Sequence, residues 1–469
     1  MIRNRFIKNL FGYTLVSLVG FALGLIATPL MTRLYLPDEL GAISLFQSNF
    51  ALIGVVVLAG QDQAFSRFFH EVEDKKTLLS VNLTIMSAAW LTSMVAVTVF
   101  ARQLSFVAFG TTDTFAVVMC ATCSLPFVIV RMSIQLHRMK NRIRGYTVQS
   151  VLLNVFTKIG VIGIAFIKPT AKLWIIGYVI IYSALSIVYS VVQFRKYGVK
   201  LTFVHNKDEY LSQLRFGLPV LLSAFAYILI SWFPKTILNN LSGKAEVGIY
   251  ASAITIASAI NLIESGFNSY FGVYFYENYR NDNGEIDIIH HMLTYISIIG
   301  VSVMTILSPI IIKLLGSNYY NAINVFPFIM CAHIFASVSE TTVHGIDISN
   351  RTYLHIINSL VAVTVGIVVA LSTIPKLGAI GASIGYCASM LSFFIMRTLF
   401  GLKTVKVVHN LWITAIGFTS AIVISLLGTN LIQNENKLNL QVTVLAITTT
   451  IYISYFIRQK DKIRAIIKT

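Results

Sequence analysis

The chain has 469 residues, of which 56% are hydrophobic and only 12% are charged, and its mean hydropathy is +0.75. Soluble domains carry about 25% charged residues, so this composition excludes a soluble globular protein. The net charge of +17 does not indicate a nucleic-acid-binding protein, because the Lys and Arg residues lie in the gaps between apolar segments and form no single basic face.

Fourteen apolar stretches follow one another along the chain, and each predicts a membrane-spanning helix, because a hydrocarbon core of ~30 Å takes about 20 helical residues to cross. The gaps between them are too short for a soluble catalytic domain. The predicted spans, numbered 1 to 14, are residues 10–32, 41–64, 78–100, 115–137, 146–167, 173–194, 214–238, 246–272, 291–315, 322–346, 353–374, 377–399, 410–432 and 439–457.

The basic residues alternate between the two sides of these spans. The gaps and adjoining span ends on the amino-terminal side hold 25 Lys and Arg residues, and those on the opposite side hold 9. The positive-inside rule therefore predicts that both termini are cytoplasmic, which requires an even number of spans. We expect no cleavable signal peptide, because residues 10–31 are long enough to span the membrane and lack a small-residue cleavage site.

All four cysteines fall within predicted spans. The pair Cys120 and Cys123 on span 4 has no accompanying ligands for zinc and no aqueous redox access. We expect these two, Cys331 and Cys387 to be packing residues, and we expect no metal or cofactor.

A weak internal repeat divides the chain after span 6. The matching residues are Gly12 and Gly217, Pro29 and Pro234, and Gly41 and Gly248. Six spans in each half give the halves one orientation, which predicts two six-helix bundles related by a pseudo-two-fold axis along the membrane normal, with a cavity between them. The predicted domains are residues 1–200, residues 201–400, and residues 401–469 with spans 13 and 14 and a basic cytoplasmic tail.

Cations within the spans are the first candidates for function. Lys158 lies about 12 residues into span 5, near the bilayer centre, where a cation costs ~3 kcal/mol or more; a structural ion pair or a snorkelling side chain is the alternative. Arg131 on span 4 either faces a cavity or belongs to a cytoplasmic basic cluster. Lys235, near the outer end of span 7, either faces the cavity or snorkels to the interface.

Anionic and neutral polar groups accompany these cations. Span 10 aligns His333 and Glu340 on one face, and span 8 contributes Glu264. One interpretation is that these groups bind a coupling Na⁺ or proton. The alternative is that Glu340 lies at the cytoplasmic interface and that the carboxylates neutralise the charge of the Lys and Arg residues. Arg and Lys suit a diphosphate, and neutral side chains suit sugar hydroxyls. The predicted substrate cavity therefore comprises Arg131, Lys158, Lys235, Asn154, Tyr227 and Asn261.

Four short motifs resemble those of the polysaccharide transporter family, and in particular of Wzx-type flippases. They are RLYLPDELG at residues 33–41, GQDQAFSRFF at 60–69, FGLP at 216–219 and AEVGIY at 245–250. The family is part of the multidrug/oligosaccharidyl-lipid/polysaccharide exporter superfamily. The resemblance implies two six-helix bundles in a V, and a bacterial inner-membrane protein that flips an undecaprenyl-diphosphate-linked oligosaccharide such as an O-antigen unit. It also implies partnership with a polysaccharide polymerase and chain-length machinery.

The chain departs from that family at one position and leaves three alternatives open. Where relatives often carry an Asp-Arg pair near the outer end of span 7, this chain has Pro234 and Lys235, so a local ion pair is not expected there. A cation-coupled drug or metabolite exporter and a lipid II-type flippase share the same architecture. A membrane-bound glycan polymerase or ligase is the enzymatic alternative, but its large external loop is missing, and no Walker-type phosphate loop occurs; we therefore predict a transporter and not an enzyme.

Overall fold

The computed structural model describes residues 2–197, 207–260, 267, 271–272, 274–280, 284–349, 351, 353–406, 408–432, 434–460 and 462–463, with the backbone alone at 2–14, 194–197 and 259. Helices are the regular elements of these ranges, and the described residues contain no strand. They form two compact units, residues 1–248 and residues 249–469. The all-helical membrane fold expected from the sequence is confirmed.

The first unit is a bundle of helices, most of which are long and apolar. Its helices are α1 Ile2–Leu34, α2 Pro37–Leu58, α3 Gln61–Phe68, α4 Lys75–Val99, α5 Ala101–Phe109, α6 Phe115–Met139, α7 Ile143–Val155, α8 Val161–Ala165, α9 Ala171–Tyr197 and α10 Lys207–Ser242. A π-helical turn, Phe156–Gly160, joins α7 to α8. The helix α11, Lys244–Ala257, begins in this unit.

The second unit contains the remaining long helices. They are α12 Glu285–Ile306, α13 Ala322–Ser339, α14 His344–Ile348, α15 Tyr353–Leu377, α16 Ala379–Thr404, α17 Leu411–Leu427 and α18 Lys437–Arg458.

Twelve helices of the described part of the chain are long and apolar enough to cross a membrane. They correspond to twelve of the fourteen predicted spans. The other two are span 8, whose first part is α11 and whose remainder lies largely outside the described residues, and span 13, which is the 17-residue helix α17.

Aromatic side chains from α2, α6 and α9 form the core of the first unit. Phe50 packs edge-on against Phe127 of α6, with ring centroids 5.4 Å apart, and Phe46 packs similarly against Tyr178 of α9 at 5.9 Å. Trp174 stacks on Tyr178 at 4.8 Å. Such pairs contribute about 0.5–1.5 kcal/mol each beyond area burial, so this cluster holds the three helices in fixed positions.

All four cysteines are free and buried, as expected of packing residues. Cys120 and Cys123 lie in α6 of the first unit, and the other two lie in α13 and α16 of the second unit.

The long helix α10 packs against other elements of the first unit along its length. In the first half of α10, the backbone of Gly217 contacts that of Gly60. A Cβ added to Gly60 would lie only 2.1 Å from the Gly217 carbonyl oxygen. Gly60 also has a φ of +69°, a conformation that glycine adopts without steric cost. Near the other end, Trp232 Nε1 donates to Asn49 Oδ1 of α2 at 2.8 Å.

The helices α17 and α18, predicted as spans 13 and 14, are integral parts of the second unit. Phe418 of α17 packs against Phe335 of α13 and Phe394 of α16 at 4.6 and 4.8 Å. Tyr452 of α18 donates to the Ile413 carbonyl at 3.0 Å. The domain boundaries at residues 200 and 400 follow the internal repeat and stay a prediction.

Candidate functional site

Lys158 lies in the π-helical turn Phe156–Gly160, halfway along the predicted span 5. Its Nζ donates to the carbonyl oxygen of Gly20 in α1 at 2.5 Å. A carbonyl inside an α-helix already accepts one backbone bond, so the lysine is a second donor to that oxygen. Among the described residues, Lys158 forms no ion pair with a carboxylate.

The surroundings of Lys158 explain its position. A Cβ on Gly24 would lie 3.6 Å from Lys158 Nζ, and one on Gly20 would lie 3.2 Å from Asn154 Oδ1. Small residues on α1 therefore let it approach α7 closely enough for both polar side chains to contact it. Single π turns inside α-helices are frequent at functional sites, and this one carries the central cation of the span.

Arg131 on α6 pairs with Asp62 of the short helix α3. Its Nε and Nη2 both lie near Asp62 Oδ2, at 3.2 and 3.0 Å. The carboxylate side chain is 12% exposed and the guanidinium side chain is 51% exposed. Asp62 therefore binds one edge of the Arg131 guanidinium group, and the rest of that group remains accessible.

The next turn of α6 repeats this contact with neutral groups. Gln135 Nε2 donates to Ser66 Oγ, and Ser66 Oγ donates to the Asp62 carbonyl at 2.9 Å. The motif GQDQAFSRFF at residues 60–69 thus supplies the acid and the hydroxyl that face α6. Asp62 lies within that motif, but no pattern in the sequence indicates its pairing with Arg131.

The predicted cavity residues Tyr227 and Lys235 lie on α10, near two serines. Ser223 and Ser231 donate to carbonyls of their own helix, at 3.2 and 3.0 Å. Tyr227 between them is 53% exposed. Lys235, one turn after Ser231, is half-buried, and it forms no hydrogen bond or ion pair with any described residue. Lys235 is therefore unpaired in the described part of the chain.

In the second unit, Glu340 forms an ion pair with Arg397 of α16. Arg397 Nη1 lies 2.5 Å from Glu340 Oε1 and also donates to Ser339 Oγ at 2.9 Å. This supports the alternative in which Glu340 balances a basic residue. Arg397 was not singled out from the sequence, because it falls at the cytoplasmic end of its predicted span.

The other predicted coupling residues lie apart from this pair or outside the described chain. The His333 side chain on α13 is buried and has no hydrogen-bonding partner among the described residues. Asn261 and Glu264 lie outside the described residues. The structure therefore brings Asn154 and Lys158 together, gives Arg131 and Glu340 partners of their own, and leaves Lys235 with none among the described residues.

The candidate cations of the first unit are thus of two chemical types, a guanidinium group and two ammonium groups. Arg131 can present a planar guanidinium edge, which suits bidentate contact with a phosphate, and Lys158 and Lys235 can act as point charges. No group of three or more His, Cys, Asp or Glu residues in the described ranges is placed to hold a metal ion.

Comparisons with known proteins agree with this architecture. A family model described as "Polysaccharide biosynthesis protein" matches residues 6–275. The chain is similar to a solved structure titled "Lipid II flippase MurJ, inward closed conformation", with a TM-score of 0.71 and 14% identity over 95% of this chain and 99% of that one. It is also similar to an inward-facing multidrug resistance MATE family transporter, with a TM-score of 0.63 and 16% identity over 82% and 93% of the two chains. No curated relative matches the sequence. The two solved structures are a flippase and a transporter, the class that the sequence predicts, and not enzymes.

Proposed function

Because the chain belongs to the polysaccharide biosynthesis protein family, we propose that it moves a lipid-linked oligosaccharide from the inner to the outer leaflet of a bacterial cytoplasmic membrane. The proposed substrate is undecaprenyl diphosphate that carries one oligosaccharide repeat unit, such as that of an O-antigen or a similar surface polysaccharide. The chain would make and break no covalent bond.

The observation that carries this proposal is Lys158. A cation in the middle of a span is costly, and this one has a single carbonyl partner and no carboxylate among the described residues. Within the described residues, a structural ion pair therefore does not account for its presence. An anionic ligand such as a diphosphate would supply the missing charge, and it would compete with the Gly20 carbonyl for the ammonium group.

The obstacle that such a protein removes is dehydration. Many sugar hydroxyls and two phosphate charges would lose their water on crossing ~30 Å of hydrocarbon, whereas the apolar prenyl tail dissolves in it. We assign Arg131, Lys158 and Lys235 to the diphosphate, and Asn154, Tyr227 and Asn261 to the glycan. Alternating exposure of this polar path to the two sides of the membrane would complete the transfer.

The remaining roles follow from the same proposal. Both termini would lie in the cytoplasm, and a polysaccharide polymerase with its chain-length machinery would take the flipped unit. Na⁺ or a proton would drive the cycle, with Glu264, Glu340 and His333 as candidate coupling groups. Of these, Glu340 is the least available, since Arg397 already neutralises it.

Deletion of the gene tests the proposal. We expect lipid-linked repeat units to accumulate on the cytoplasmic side, where an added glycosidase reaches them only after the cells are opened. Complementation with the wild-type chain should restore the glycan on the surface. Normal surface glycan in the deletion strain, with no second flippase present, would exclude this function.

A second measurement separates the proposal from its two rivals of the same architecture. A lipid II-type flippase would be required for cell-wall synthesis, so its deletion would stop growth and not surface glycan alone. A drug exporter would change resistance to cationic drugs and leave the lipid-linked units normally distributed. The proposed flippase should show neither effect.

A further inference from the structure

The second unit contains a buried carboxylate that the proposed function does not use. Asp287 lies in the first turn of α12. Its Oδ1 accepts from the His409 backbone N–H at 2.8 Å, and its Oδ2 accepts from Tyr455 OH at 2.8 Å and from Asn410 Nδ2 at 3.2 Å. The partners come from α18 and from the segment before α17, so the last two helices complete this site.

His291 lies one turn further along α12 and is fully buried. Its Nε2 is 3.5 Å from Asp287 Oδ1, too far for a good hydrogen bond. Neither ring nitrogen has a hydrogen-bonding partner among the described residues. The ring packs edge-on against Tyr455, with centroids 4.9 Å apart. The imidazole therefore lies next to a carboxylate without a hydrogen bond to it. A buried donor left unpaired costs about 1–3 kcal/mol, and a bond to Asp287 would remove that cost.

The neighbouring His290 differs because both of its nitrogens are bonded. Nδ1 is 2.6 Å from Thr341 Oγ1, and Nε2 is 2.8 Å from Thr414 Oγ1. The Thr341 hydroxyl donates to the Val338 carbonyl at 2.7 Å, so its oxygen must accept from His290 Nδ1–H. His290 Nε2 faces the Thr414 hydroxyl, which can donate to it, so both ring nitrogens are satisfied when His290 is neutral.

The charge of this site is unbalanced without a proton. Asp287 forms no ion pair with a Lys or Arg of the described residues, and a buried charge needs compensation. The titratable groups around it are His290 and His291 from α12, His409 from the segment before α17, and Tyr455 from α18. Lys462 Nζ lies near Gly284, at the start of α12, and the Glu340–Arg397 pair adjoins Thr341. Among these groups, His291 has its Nε2 beside Asp287 and both nitrogens unengaged.

We propose that Asp287 and His291 form a proton-binding site in the second unit, with the proton shared between His291 Nε2 and Asp287 Oδ1. A proton on Nε2 would draw the imidazole and the carboxylate closer than their present 3.5 Å and form a charge-assisted hydrogen bond, which is about twice as strong as a neutral one. Metal cations such as Ca²⁺ and Mg²⁺ require about six oxygen ligands, whereas Asp287 is surrounded by N–H and O–H donors. The use of this proton to couple transport rests on the proposed function; the binding itself does not.

Nitrogen NMR of the full chain in nanodiscs tests proton binding directly. With ¹⁵N-labelled histidine, the His291 signal, assigned from its loss in His291→Gln, should change from the neutral to the charged form as the pH is lowered. In Asp287→Asn the charged form should be lost at the same pH, while His290 should stay neutral throughout. A His291 signal that is neutral over the whole range, or one that Asp287→Asn leaves unchanged, would overturn the proposal. If His291→Gln does not fold, comparison of the wild type with Asp287→Asn still assigns the signal.

Transport in proteoliposomes tests coupling, with a fluorescent sugar on undecaprenyl diphosphate as the probe. An imposed pH gradient should raise the wild-type rate several-fold, and Asp287→Asn and His291→Gln should lose this stimulation. The matched control is His355→Gln, which removes another histidine paired with an aspartate, His355 Nε2 to Asp347 Oδ1 at 3.0 Å, and should keep the stimulation. Stimulation by a Na⁺ gradient alone, or full stimulation of Asp287→Asn by the pH gradient, would contradict coupling. If the wild type moves no probe at all, the proposed function fails, while NMR still decides the proton site.

Discussion

The three cations predicted to bind the substrate lie in the first unit, and the protein compensates each of them differently. Arg131 has a carboxylate, Lys158 has a backbone carbonyl, and Lys235 has no partner among the described residues. A carboxylate neutralises the charge of the cation that it pairs with. A cation that contacts only a carbonyl, or that has no partner, keeps a net positive charge that an anionic ligand can neutralise. At the residue scale, Lys158 and Lys235 are therefore the stronger candidates for binding a phosphate. Arg131 offers a planar guanidinium group, which suits bidentate contact with a phosphate.

Replacement of Lys158 by alanine should reduce glycan export by about 30-fold at near-normal protein levels. The estimate takes a charge-assisted bond to phosphate as ~2 kcal/mol. Lys158→Arg should retain part of the activity. The measurement is surface glycan per molecule of protein in the membrane.

The matched control for this prediction is Lys172→Ala, which removes a largely exposed lysine paired with Asp113 at 3.2 Å. This variant should export normally. If Lys158→Ala instead lowers the amount of protein and its activity to the same extent, the lysine has a structural role.

The pair of Glu340 and Arg397 should behave as a structural unit. Arg397→Met leaves a partly buried carboxylate without its cation, and we expect a loss of about 1–3 kcal/mol in the free energy of unfolding. The loss should fall in the lower part of that range because the Glu340 side chain is 32% exposed. The double variant Glu340→Gln/Arg397→Met should recover most of it. Thermal unfolding in detergent measures both, and equal losses in the single and double variants would refute the pairing.

At the scale of elements, the start of α2 packs against the start of α11 through two glycines that the internal repeat relates. A Cβ on Gly41 would lie 1.9 Å from the Lys244 carbonyl oxygen, and one on Gly248 would lie 2.1 Å from that of Pro37. Backbone atoms cannot move aside as a flexible side chain does. Gly41→Ala and Gly248→Ala should each lower the melting temperature, with a cost of about 1–3 kcal/mol from overpacking.

The control for the glycine prediction is Gly163→Ala in α8. A Cβ there meets no atom within 4 Å, so the change should be neutral or stabilising, because alanine favours a helix by about 1 kcal/mol over glycine. If Gly41→Ala melts at the temperature of Gly163→Ala, the close contact of α2 and α11 is not as described.

The helix α4 begins with a side-chain cap that titrates. Asp74 Oδ2 accepts from the Thr77 hydroxyl at 2.6 Å, and Oδ1 accepts from the Lys76 N–H at 2.9 Å. These bonds lower the pKa of Asp74, with the Thr77 bond as the largest cause. A carboxyl whose folded pKa is lowered stabilises the protein above its unfolded pKa, near 4, and this contribution is lost as the pH falls further. Asp74→Ala should cost about 1 kcal/mol at neutral pH and less at about pH 3, as measured by thermal unfolding; an equal cost at both pH values would exclude the cap.

At the scale of the whole molecule, hydropathy predicted the order and position of most helices but not the contacts between them. Span 9 was predicted to start at residue 291, whereas α12 begins at Glu285. The polar residues Asp287 and His290 lower the local hydropathy, so a window that seeks apolar residues leaves them in the gap. The pairing of Arg131 with Asp62 and the π turn around Lys158 depend on packing between helices that are distant in sequence, and no local pattern indicates them.

The distribution of basic residues makes a prediction about the whole chain that labelling can test. With 25 Lys and Arg residues on one side of the spans and 9 on the other, inverted insertion would place the more basic side outside, against the positive-inside rule. We therefore expect residues 73 and 460, both exposed, to face the cytoplasm and the exposed residue 112 to face outward. The four native cysteines are buried, so a single introduced cysteine can be labelled with little background. A membrane-impermeant maleimide should label Thr112→Cys in intact spheroplasts, and it should label Glu73→Cys and Lys460→Cys only after permeabilisation. Labelling of Lys460→Cys in intact spheroplasts would place the carboxyl-terminal end of α18 outside, and it would require an odd number of spans or the reverse orientation.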